Sequence, residues 1–142
     1  MLDSRPGLSS KWKDYIHCPR NTGHPSSYGW PACEGTAGTC DTPGFIAPKR
    51  TYPTGDGSGS GIAIVRDVLY VACERGTRMY REAISGSSLT NVEAYFTGVY
   101  GRLRTVEPAP DGGLWLTTTN YGDKDSIANN SNEKILHVAL GS

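Results

Sequence analysis

At 142 residues the chain is sized for one domain, and its 14 Lys and Arg balance 14 Asp and Glu; this excludes the bulk positive field that draws nucleic acid or an anionic membrane surface. Eighteen Gly and nine Pro, set among β-branched and aromatic runs, favour turns and strands over helices. No apolar run nears the roughly 20 residues that span a bilayer, and residues 1–30 hold no signal-peptide core, so the sequence reads either as cytosolic or as part of a longer exported chain.

Residues 1–27 are polar and basic, and Pro6, Gly7, Pro19, Gly23 and Pro25 break any periodicity. They predict an irregular or disordered N-terminal segment. His17 and His24 lie there without an acidic partner, and Cys18 sits in the same unpatterned stretch. From Tyr28-Gly29-Trp30-Pro31 to Tyr52-Pro53-Thr54 the chain is dense in turn residues. Here Cys33 and Cys40 either close a local disulfide or stay as free thiols. With no Cys-x-x-Cys pair and no histidines at ligand spacing, the pattern disfavours zinc.

Regular alternation starts at Gly61. Ile62-Ala63-Ile64-Val65, a turn at Arg66-Asp67, and Val68 to Cys73 predict a hairpin, with Cys73 a buried thiol. Further strands are predicted over Arg78 to Ile84 and Asn91 to Phe96, separated by Ser85-Gly86-Ser87-Ser88. Next come Arg102-Leu103-Arg104-Thr105-Val106, the turn Pro110-Asp111-Gly112-Gly113, and the β-rich Leu114 to Thr119. A polar loop carrying Asp123, Asp125, Asn129 and Asn130 precedes a last strand, Lys134 to Leu140, in which His137 reads as a packed residue. The acidic loop lacks EF-hand spacing and reads as solvated.

Two features stand out. Arg102 and Arg104 leave the same face of a strand about 7 Å apart, while Leu103 points the other way. Such a pair is either two solvated cations on an edge strand or a clamp for a carboxylate or phosphate. The second feature is a repeat: Arg66-Asp67-Val68-Leu69-Tyr70-Val71-Ala72 echoes Asp111-Gly112-Gly113-Leu114-Trp115-Leu116-Thr117. A period of about 40–50 residues with four short strands per unit is the signature of β-propeller blades. The chain therefore reads as all-β, a partial β-propeller of four-stranded antiparallel blades. Residues 61–97 make a full unit, and the unit from 103 has three strands. Propellers need about 4–8 blades, so the chain is expected to be a piece of a larger ring, its fourth strand coming from an N-terminal part, or to associate through its open sheet edges.

Several stretches together resemble the soluble glucose/sorbosone (aldose sugar) dehydrogenases. They are Tyr28-Gly29-Trp30-Pro31 with Cys33-Glu34-Gly35-Thr36, Tyr52-Pro53-Thr54, Ser58-Gly59-Ser60-Gly61-Ile62-Ala63-Ile64, Val68 to Cys73 with Arg75-Gly76, and Gly101-Arg102-Leu103-Arg104-Thr105-Val106 with Pro110-Asp111-Gly112. That family consists of six-bladed propellers that oxidise aldose sugars by hydride transfer to pyrroloquinoline quinone (PQQ), usually with calcium. The resemblance implies a C-terminal portion, about two of the six blades, with residues 28–142 as the propeller-like domain. It further implies that Arg102 and Arg104 hold the quinone's carboxylates, and that Tyr52 and Thr54 lie beside the cofactor.

Tyr52 stands where the family often has Trp, and it either stacks on the quinone or caps the core. Arg75 is a candidate for a cationic cofactor contact, whereas Glu74 in that place would be unfavourable. Thr105 stands where many relatives have Asp. The family's general-base histidine and its calcium turn have no counterpart in the sequence, so no catalytic residue and no metal ligand is assigned. PQQ and an aldose sugar are the partners the resemblance implies, without nucleic acid or a membrane span. Relatives are commonly periplasmic or secreted. Two functions follow: a piece of a quinoprotein sugar dehydrogenase that carries part of the cofactor wall and is inactive alone, or a non-enzymatic propeller-derived module for interaction or carbohydrate binding.

Overall fold

The structure, a computed structural model, describes residues 14–16, 28–121 and 133–141. Every regular element among them is a strand, and every pairing is antiparallel. β1 (Asp14–Ile16) pairs with β4 (Arg50–Tyr52), so three residues of the stretch expected to be irregular are strand. Between them, β2 (Cys33–Glu34) and β3 (Ala37–Gly38) form a small ribbon, closed by a Cys33–Cys40 disulfide. The two sequence alternatives for these cysteines resolve to the bonded one. Cys73 is a buried thiol.

β5 (Gly59–Val65), β6 (Val68–Cys73), β7 (Arg78–Ser85) and β8 (Ser88–Tyr95) meander in chain order into a four-stranded sheet. The β5–β6 turn places Arg66 at φ 50° and Asp67 at φ 58°. A turn whose two central residues are both left-handed matches the strand twist, so this pair alone reverses the chain. β9 (Leu103–Pro108), β10 (Leu114–Thr118) and β11 (Ile135–Val138) make a second sheet in the order β11-β10-β9.

The two sheets stack face to face, because strand alternation gives each an apolar side. Tyr70, Ala72 and Met79 of the first sheet meet Leu103, Val106, Leu114 and Leu116 of the second. The opposite parity of β6, Leu69, Val71 and Cys73, packs with Tyr80 and Tyr52 on the other side of the first sheet. The inner strand β6 is therefore buried on both faces, while the edge strand β8 is largely exposed. The outer side of the second sheet is not buried: Trp115 and Ile135 are exposed on it. His137 lies there too, beside the Trp115 ring and paired with Asp111 at 2.9 Å. The apolar run around it predicts a packed residue; strand alternation instead turns it outward, since Leu136 and Val138 take the core side.

Candidate functional site

The site is built where the β6–β7 turn meets the start of β9. Ser58 accepts a backbone hydrogen bond from Glu74 N–H (3.0 Å), and Gly57 accepts one from Gly76 N–H (2.9 Å), so the Pro53–Ser58 turn is stitched to the Glu74–Thr77 turn. Gly76 is required: a Cβ there would lie 2.0 Å from the Asp56 carbonyl oxygen. Asp56 also pairs with Arg78 at 3.0 Å. On the other side, the backbones of β5 and β9 run in close approach. A Cβ on Gly61 would sit 2.9 Å from Val106 N, and the Ser60 hydroxyl lies 2.7 Å from the Arg104 carbonyl oxygen.

The approach to β9 is held by Asn120, which is fully buried. Its Oδ1 accepts from Arg102 N–H at 2.8 Å and its Nδ2 donates to the Tyr100 carbonyl at 2.7 Å. This seats Arg102 and Arg104 opposite Leu103, as their spacing predicts, and both reach one carboxylate. Arg102 Nη2 donates to Glu74 Oε2 at 2.5 Å, and Arg104 Nη1 donates to Glu74 Oε1 at 2.5 Å. Glu74 is 15% exposed, Arg102 21% and Arg104 56%. Arg102 Nε is buried and makes no hydrogen bond among the described residues.

The sequence-predicted residues divide. Arg102 and Arg104 are brought together on Glu74. Arg75 is exposed on the turn next to it, and Thr54 is half-buried on the turn stitched to that one. Tyr52 lies elsewhere, in the layer on the opposite face of the first sheet from β9. It is 4% exposed and stacks on Tyr80 with ring centroids 4.4 Å apart. Its hydroxyl donates to Glu82, a fully buried carboxylate that also accepts from Arg50 Nε at 2.9 Å. Burial, and then the Glu82 hydrogen bond, push the Tyr52 hydroxyl well above the ordinary tyrosine range, so it stays protonated as a donor.

Glu74 and Asn120 are not among the residues that the sequence singles out for the site. A signal for Glu74 does exist, since it continues the Tyr70-Ala72 alternation toward β9. Asn120 carries none, because its partners are backbone groups 18 and 20 positions away. His17, His24, Cys18 and the acidic loop Asp123 to Asn130 lie outside the described residues. Among the described residues no cluster of three or more His, Cys, Asp or Glu could hold a metal ion, and no helix is long and apolar enough to cross a membrane.

Fold and site together define a class: an all-β protein of stacked antiparallel sheets, with paired arginines gripping a carboxylate at one sheet end. Comparison with known proteins makes that class specific. The chain is similar to the PQQ-bound form of aldose sugar dehydrogenase from Streptomyces coelicolor, at 34% identity and a TM-score of 0.75 over 90% of this chain and 36% of that one. It is also similar to an oxidoreductase assigned as a glucose dehydrogenase from Thermus thermophilus, at 27% identity and a TM-score of 0.68 over 89% of this chain and 41% of that one. The apo-form of the soluble aldose sugar dehydrogenase of Escherichia coli shares the fold, at 18% identity and a TM-score of 0.69 over 97% of this chain and 43% of that one. The chain thus resembles aldose sugar and glucose dehydrogenases over most of its own length, and spans 36–43% of theirs. No family model matches it, and no curated protein matches it by sequence.

Proposed function

We propose that the chain forms about two of the six blades of a quinoprotein sugar dehydrogenase propeller, the C-terminal portion, and carries part of the wall that holds PQQ. One observation carries this reading: two guanidiniums on one strand face converge on a single carboxylate, in a chain 34% identical to a PQQ-bound aldose sugar dehydrogenase. The donor set fits a carboxylated planar cofactor, because forked cations pair with carboxylates in two-point geometry. The buried, unpartnered Arg102 Nε is a further donor for a ligand oxygen.

When bound, PQQ supplies the acceptor for the hydride of an aldose. The part this chain's own residues take is binding and orientation. Arg102 and Arg104 neutralise and position cofactor carboxylates, Asn120 fixes the backbone that carries Arg102, and Arg75 and Thr54 stand on the adjoining turns as further candidates. Tyr52 is better explained by its hydrogen bond to Glu82 than by stacking on a cofactor. No described residue is assigned as the base that takes the sugar's proton, and no position is assigned to calcium. Since catalysis needs base, cofactor and substrate held together, the chain alone is inactive in this reading.

The test is titration of the purified chain with PQQ, wild type against Arg102→Ala/Arg104→Ala. Binding by the wild type and not by the double variant is expected. Absence of binding by the wild type and by a Glu74→Gln variant alike removes the cofactor-wall reading in favour of the second one, an interaction or carbohydrate-binding module, which the exposed Trp115 and Ile135 on the outer sheet face support. Sugar-dependent dye reduction by the chain with PQQ and calcium would overturn the assignment of inactivity.

A further inference from the structure

Glu74 occupies the place where a ligand carboxylate would go. Each of its oxygens takes one N–H, from Arg102 Nη2 and Arg104 Nη1, both at 2.5 Å. The contact bridges the two stacked sheets, since Glu74 follows β6 and the arginines flank Leu103 on β9. Yet the grip is incomplete. Glu74 engages Arg102 through Nη2 only and leaves the neighbouring Nε buried without a partner. A carboxylate taken side-on by an Arg fork uses Nε and Nη together, which would satisfy that orphan donor.

We propose that Glu74 is a built-in competitor for the carboxylate clamp. It holds the two guanidiniums in register when no ligand is present, and a carboxylate-bearing ligand enters by displacing it. This rests on reading the arginine pair as a ligand clamp. Glu74 therefore sets the affinity of the site: the net charge offered to a ligand is that of two guanidiniums less one carboxylate, and removing the carboxylate raises the pull on any polyanion. A purely structural Glu74 would instead lower stability on substitution and leave ligand affinity alone.

The test uses the full chain as wild type, Glu74→Gln, Glu74→Ala and Arg102→Ala/Arg104→Ala, titrated calorimetrically with two probes, benzene-1,3,5-tricarboxylate and PQQ. Thermal melting by circular dichroism checks that each variant is folded, and Glu74→Ala stands in if Glu74→Gln is not. Expected is binding of both probes at least about tenfold tighter by Glu74→Gln than by wild type, equivalent to about 1.4 kcal/mol, and by the arginine double variant no binding. Equal affinities of wild type and Glu74→Gln for both probes overturn the competitor role and leave the clamp standing. Tighter tricarboxylate binding by Glu74→Gln, with PQQ bound by no variant, supports the competitor role and removes the quinone reading. Failure of a folded Glu74→Gln or Glu74→Ala protein to bind either probe overturns both.

Discussion

The largest electrostatic commitment in the described residues is at Glu82, a fully buried carboxylate held by the Tyr52 hydroxyl on one oxygen and by Arg50 on the other. A charge in the interior is tolerable only while its lone pairs are occupied, so removing either donor is more damaging than the worth of one hydrogen bond suggests. Tyr52→Phe keeps the ring and its stack on Tyr80 but strips the donor. It is expected to lower unfolding stability by about 1–3 kcal/mol, read as a shift in urea midpoint. The same variant separates the two roles open to Tyr52 from the sequence. A cofactor-stacking residue would lose little stability and would change PQQ affinity instead; an unchanged urea midpoint sinks the structural role.

Among the elements, the start of β9 shows how the site is set by backbone rather than by side chains alone. Asn120 accepts from Arg102 N–H and donates to the Tyr100 carbonyl, so Asn120→Ala takes the partner from two half-buried backbone groups. The expected cost is about 2–4 kcal/mol by urea unfolding, with loss of carboxylate binding because Arg102 is no longer seated. If stability falls and binding persists, the arginine pair is positioned by β9 pairing and not by Asn120. Most strands of these two sheets are legible in the sequence, because alternation places Leu69, Val71 and Cys73 on one side and Tyr70 and Ala72 on the other. The arginine spacing likewise gives a shared face. What occupies that face is not legible. Glu74 is 28 and 30 positions from its arginines, and Glu82 is 30 from Tyr52, distances over which no local pattern reports a contact. The pairing of β1 with β4 is hidden for a different reason: three-residue strands have too few side chains to show a period.

Across the whole molecule, the repeat gives matched positions in unmatched surroundings. Leu69 and Leu114 both face the layer that precedes their own sheet, Leu69 packing with Tyr52 and Leu114 against the first sheet. The next residue in each copy, Tyr70 or Trp115, points the opposite way. For Tyr70 that side is covered by the second sheet, and it is 4% exposed; Trp115 meets the His137 ring at 4.7 Å and is 42% exposed. Equivalent truncations should therefore differ in cost although the strand position is the same. Tyr70→Ala opens a cavity between the sheets and is expected to cost about 3 kcal/mol, while Trp115→Ala should cost about 1 kcal/mol or less. Urea unfolding of the two variants checks the ratio. A third sheet lying on the outer face, as a further propeller blade would, turns Trp115 into a position like Tyr70. In a chain extended by such a blade the Trp115→Ala cost should rise toward that of Tyr70→Ala. A Trp115→Ala cost that is already large in this chain would mean that the outer face is buried here, and would count against that view of the repeat.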